Sequence, residues 1–115
     1  MSFKATQRDV RGIYVVDISG RITLGEGSAM LREMVKSMTS KGQVKIVLNL
    51  GEVTYIDSSG IGELVSGFTT AKNSGGELKL LNLTKKVHDL LQITKLYTVF
   101  DVHTDEATAL GSFRT

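Results

Sequence analysis

The chain has 115 residues, 41% of them apolar and 23% charged, close to the average of folded domains, so intrinsic disorder is excluded as a default and one domain over 1–115 is expected. No apolar run approaches the roughly 20 residues needed to cross a bilayer, and the amino end lacks an apolar targeting core, so a cytoplasmic protein is expected. The absence of cysteine removes disulfides, thiolate nucleophiles and cysteine-based metal sites.

The formal charge is +2 and the isoelectric point about 9.0, yet the cations are scattered. Lys85-Lys86 is the only adjacent basic pair, and aromatics are few and isolated. The clustered basic stripe of a nucleic-acid surface is missing, so no nucleic-acid partner is expected.

In chain order, Phe3 to Gln7 alternates loosely and meets a polar, turn-like segment, Arg8-Asp9-Val10-Arg11-Gly12. Ile13 to Ile18 is rich in β-branched residues and stops at Ser19-Gly20, so the two runs are expected to form a hairpin. Thr23-x-x-Glu26 has the form of a capping box. Met30, Leu31, Met34, Val35 and Met38 then make a helical stripe best read as core packing, closed by Lys41-Gly42.

Val44 to Leu50 is the most strand-like run, apolar enough for a central strand covered on both faces. The stretch Val53 to Gly62 reads as a polar turn between this strand and a helix whose face is Ile61, Leu64, Val65 and Phe68, ending near Asn73. Glu77 to Leu83 is expected to be a strand. Thr84 caps a short helix with Val87, Leu90 and Leu91 on one face. Leu96 to Val102 reads as an edge strand, and Thr104 as the cap of a final helix anchored by Ala107 and Leu110. The expected fold class is α/β, a mixed, mostly parallel sheet with helices packed against it, in the order β-β-α-β-α-β-α-β-α.

Catalytic equipment is sparse. The two histidines, His88 and His103, have no neighbouring metal-ligand set, and a Ser-His-Asp arrangement lacks the G-x-S-x-G nucleophile elbow. Asp57 beside Ser58 would raise the serine's pKa rather than activate it. Gly60-Ile61-Gly62 is not followed by the Lys-Ser or Lys-Thr of a phosphate-binding loop. No enzymatic activity, metal or cofactor is therefore expected of the chain itself.

Attention falls on Asp57-Ser58-Ser59-Gly60, at the carboxyl end of the central strand. Its plainest role is a helix cap. Two serines in a row nevertheless supply more hydroxyl than one cap requires, and Ile61 is expected to sit partly exposed beside them. The run Val47-Leu48-Asn49-Leu50, then Tyr55-Ile56-Asp57-Ser58-Ser59-Gly60-Ile61-Gly62, resembles the STAS domain of anti-sigma factor antagonists. Ser19-Gly20, Gly75-Gly76-Glu77-Leu78 and Val87-x-x-Leu90-Leu91 extend that resemblance over nearly the whole chain.

The resemblance implies partner switching. The serine after the motif's aspartate, here Ser58, would be phosphorylated by an anti-sigma factor with serine kinase activity, which itself binds ATP and magnesium. The unphosphorylated form would bind that kinase and free a sigma factor, the phosphorylated form would let go, and a serine phosphatase would restore it. Asp57, Ser58, Ser59, Gly60, Ile61, Arg21 and Thr23 would form the docking surface. Two departures concern the partner: Arg21-Ile22-Thr23 stands where sporulation antagonists often carry acids, and the net charge is slightly positive. The alternative within this fold is a STAS subunit of another assembly, a stressosome component or a lipid-transport accessory, using the same surface for stable packing.

Overall fold

A five-stranded sheet in the order β1-β2-β3-β4-β5 organises the chain, in a computed structural model that describes residues 3–113. Strands β1 (Lys4–Val10) and β2 (Ile13–Ile22) pair antiparallel; β3 (Lys45–Ile56), β4 (Glu77–Leu81) and β5 (Val102–His103) follow in parallel, as the helices between them require. The helices are α1 (Glu26–Ser40), α2 (Ser58–Asn73), α3 (Lys85–Ile93) and α4 (Glu106–Gly111).

Period-two alternation along the strands sorts the side chains between two cores. Val16, Ile18, Ile46, Leu48, Leu50, Leu78 and Leu80 pack with α1, α2 and α3 in the larger one. Val15, Val47 and Leu81 point the other way, against Ala109 of α4 and Phe113. Central strand β3 is thus covered on both faces, as its composition requires. Gly67 of α2 lets Val35 of α1 and Leu78 of β4 pack against the helix backbone, and Arg32 of α1 donates to Glu63 of α2 at 3.0 Å.

Several local expectations give way to longer-range pairing. The hairpin turn is only Arg11-Gly12, because Arg8, Asp9 and Val10 find partners in β2 and extend β1. Strand β2 continues through Ser19-Gly20 to Ile22 by bulging, with Gly20 at φ 92° where the register with β3 shifts. Strand β3 likewise runs past Gly51, so Val53 to Ile56 is strand and not turn. Pairing with β4 stops at Asn49↔Leu81, which leaves residues 50–56 as an overhang held by β2 on one side and flanked by α3.

Other corrections concern helix ends. The Thr23–Glu26 capping box does not form: Gly25 occupies the cap position of α1 with no side-chain bond, and Thr23 contributes its carbonyl to Ser28 N–H. Met30 lies at the edge of its stripe and is exposed, while Leu31, Val35 and Met38 are buried. Leu96 to Val102 is no strand; Tyr97–Val99 forms a 3₁₀ turn that turns Phe100 into the core, and only Val102–His103 pairs with β4. Asp105, not Thr104, caps α4, and Ala109, not Ala107, is its buried anchor. Thr84 does cap α3, accepting from Val87 N–H at 3.4 Å.

Candidate functional site

The carboxyl ends of β2 and β3 each hand over to a helix, and the two connections touch. Asp57 joins them. Extended at φ −114°, it is the cap of α2, and its Oδ1 accepts from Gly60 N–H at 2.9 Å. Its other carboxylate oxygen accepts from Leu24 N–H, in the neighbouring loop, at 3.0 Å. Partial burial pushes the Asp57 carboxyl up, but the amides of Leu24, Gly60 and Ser59 outweigh it and hold the group below its usual range. It is an anion bound by backbone, and it clips the β2–α1 loop to the start of α2.

Gly60 completes the clip through its lack of a side chain. A Cβ there would collide with the carbonyl oxygen of Ile22 and with Ile56, so the first turn of α2 lies directly on the end of β2. The hydroxyls of Ser28 in α1 and Ser59 in α2 are 2.8 Å apart and tie the two helix starts together.

Ser58 is left over. It is exposed in the first turn of α2, and among the described residues its hydroxyl enters no hydrogen bond. Capping therefore falls to Asp57 alone, and Ser58 is free for other chemistry. Leu24 is 81% exposed beside this turn although its backbone is held by Asp57.

The remaining predicted residues separate into surface and support. Arg21 is exposed, with its guanidinium 5.5 Å from the ring centroid of Tyr55, and Thr23 is half-buried. Ser59 is half-buried and Gly60 buried. The expectation that Ile61 sits partly exposed is corrected: it is 3% exposed and packs in the main core, because the first turn of α2 points that position at the sheet. Gly60 and Ile61 support the turn from beneath. Leu24 was missed, since a lone leucine in a short polar connection carries no periodic signal.

The histidines offer no relay to Ser58. His103 Nε2 lies 3.0 Å from Asp101 and 3.4 Å from the Ser112 hydroxyl. Both contacts use the same ring nitrogen, whereas a hydrolytic relay needs one for the acid and the other for the nucleophile. His88 packs against Tyr97 with ring centroids 4.9 Å apart. Among the described residues no three His, Asp or Glu side chains gather in a metal-binding group, and no helix is long and apolar enough to cross a membrane.

Comparison with known proteins agrees with this geometry. The family model of the STAS domain matches residues 4–109. The anti-sigma-B factor antagonist of Bacillus subtilis is 32% identical over 99 residues, covering 86% of this chain and 85% of its own. An anti-sigma factor antagonist from Mycobacterium paratuberculosis shares the fold with a TM-score of 0.86 at 19% identity, covering 99% of this chain and 96% of its own. The Bacillus cell fate determinant SpoIIAA in its phosphorylated form superposes with a TM-score of 0.72 at 20% identity, over 96% of this chain and 97% of its own. A matched domain and a relative of this identity along most of its length agree: the chain belongs to the STAS-domain family of anti-sigma factor antagonists, regulators rather than enzymes.

Proposed function

We propose that the protein binds an anti-sigma factor with serine kinase activity in the cytoplasm, thereby freeing a sigma factor, and that phosphorylation of Ser58 ends the complex. The observation that carries this reading is the contrast within one turn. Asp57, Ser59 and Gly60 are spent on structure, while the Ser58 hydroxyl is exposed and unbonded among the described residues. A kinase acting on Ser58 meets no hydrogen bond to break there. Its own ATP and magnesium supply the phosphoryl chemistry. A serine phosphatase reverses the step. SpoIIAA, which shares the fold, has a structure in a phosphorylated form.

The charge added is about −1.5 to −2. At the start of α2 the helix dipole favours an anion, but the nearest amides already serve Asp57, so the phosphate keeps its field for whatever docks above it. Against a partner carboxylate about 6 Å away, at an effective dielectric near 20, each unit of that charge costs about 3 kcal/mol. That is roughly a hundredfold in affinity. The fold, whose contacts do not use the Ser58 side chain, keeps its stability.

Incubation with the cognate kinase and ATP is expected to add one phosphate, detected by intact mass and lost in Ser58→Ala. Ser58→Asp is expected to melt within about 0.5 kcal/mol of the parent, as surface substitutions do, while binding the kinase at least tenfold more weakly. Label that survives Ser58→Ala, or equal affinity of the aspartate variant, refutes the switch.

A further inference from the structure

A second feature adjoins the serine turn and is not explained by it. On the overhang of β3, three residues before Ser58, Tyr55 is 42% exposed and has two cations near its ring. The Arg21 guanidinium lies 5.5 Å from its ring centroid and the Lys86 ammonium 5.3 Å. Among the described residues neither cation enters an ion pair, whereas the neighbouring Lys85 is paired with Asp89 at 2.7 Å. Beside them opens a groove of about 230 Å³ lined by Tyr55, Ile56, Lys86, Asp89, Leu90 and Ile93. Ile93, at the end of α3, is 76% exposed on its rim.

Folding does not account for this arrangement. Holding a lysine and an arginine over one exposed tyrosine concentrates positive charge and returns little, because cation–π contacts in water are weak. An exposed isoleucine next to a groove returns nothing to the free chain. With Asp89 neutralised by Lys85, the local charge is that of Arg21 and Lys86. The surface fits a ligand with the opposite charge and an apolar side chain to spare.

We infer that this groove docks an acidic segment of the partner that carries an apolar side chain: carboxylates of the segment pair with Arg21 and Lys86 beside Tyr55, and the apolar group fills the space against Leu90 and Ile93. The inference rests on the partner-switch reading and names the partner's chemistry. It extends the contact surface from the serine turn along the β3 overhang to α3. It also gives Arg21 a purpose: complementary charge selects partners and speeds encounter. A phosphate added at Ser58 would then repel the acidic segment that the groove attracts.

The test uses the anti-sigma factor kinases encoded in the source genome, each purified and titrated calorimetrically with the full chain. Lys86→Glu and Ile93→Ser are measured beside Ser58→Asp, with Lys36→Glu on α1 as a charge control. Both altered residues are exposed, and thermal melts verify that each variant folds. The expected result is a kinase that binds the parent chain and loses at least threefold in affinity with Lys86→Glu and with Ile93→Ser, but not with Lys36→Glu. If Ser58→Asp weakens binding while either groove variant stays within threefold, or if Lys36→Glu weakens it as much, the groove is not the docking surface and the switch stands. If no kinase binds the parent chain, both readings fall.

Discussion

Two polar regions of this molecule use their charges in opposite ways. On the sheet face near α4, Arg8 donates to Asp17 at 2.7 and 3.1 Å and to Glu106 at 2.8 and 3.1 Å. Asn49 donates to Asp17 at 2.8 Å and accepts from Asn82 at 3.2 Å. The Arg8 guanidinium, with Asn49, holds the Asp17 carboxyl below its usual range. Every group there answers another side chain of the same protein. At the serine turn, Asp57 answers only backbone amides, and Ser58, Leu24, Arg21 and Lys86 are left facing outward. A network closed on itself holds strands together. An anchor satisfied by backbone leaves its neighbouring side chains unbonded, and the proposed switch would use them for a partner.

The comparison can be broken by substitution, and the largest effect is expected at Gly60. Gly60→Ala drives a methyl group into the backbone of β2, which cannot yield as a flexible side chain would, and should cost about 3 kcal/mol of unfolding free energy in a urea titration. Next comes Asp57→Ala, which removes a helix cap and the bond to the Leu24 amide together. About 2 kcal/mol is expected, accompanied by faster hydrogen exchange at the amides of Leu24 and Gly60. Asp17→Ala is expected to be the mildest, at about 1 kcal/mol or less, because its partner Arg8 is 42% exposed and retains Glu106. An Asp17→Ala variant less stable than Asp57→Ala would overturn the division into one region that closes the sheet and another that anchors a site.

Much of the fold could be read from local pattern. Val44 to Leu50, the apolar stripe of α1, the Thr84 cap and the end of α2 near Asn73 are all signalled by residues within one or two turns of each other, as the physics of strands and helices requires. Leu96 to Val102 misled for the same reason: its β-branched and aromatic residues suit a strand, but β4 offers partners only to Val102–His103, so the preceding residues coil to bury Phe100. At the site, Asp57, Ser58 and Gly60 were visible as a turn before a helix. Which of them caps the helix could not be read there, because which oxygen reaches Gly60 N–H depends on the backbone angle at Asp57.

The sequence by itself determined the order of elements, the two-sided burial of β3 and the place of the serine turn at the carboxyl end of the central strand. Those properties follow from composition and from periods of two and 3.6 residues, which survive in any arrangement that buries the apolar faces. Only the tertiary structure decided that β2 and β3 extend together past Gly20 and Gly51, that Asp57 clips a loop 33 residues away, and that Ile61 turns inward while Leu24 turns out. It alone brought Arg21 and Lys86 together at the ring of Tyr55. Such contacts join residues far apart in the chain, and no periodicity encodes them.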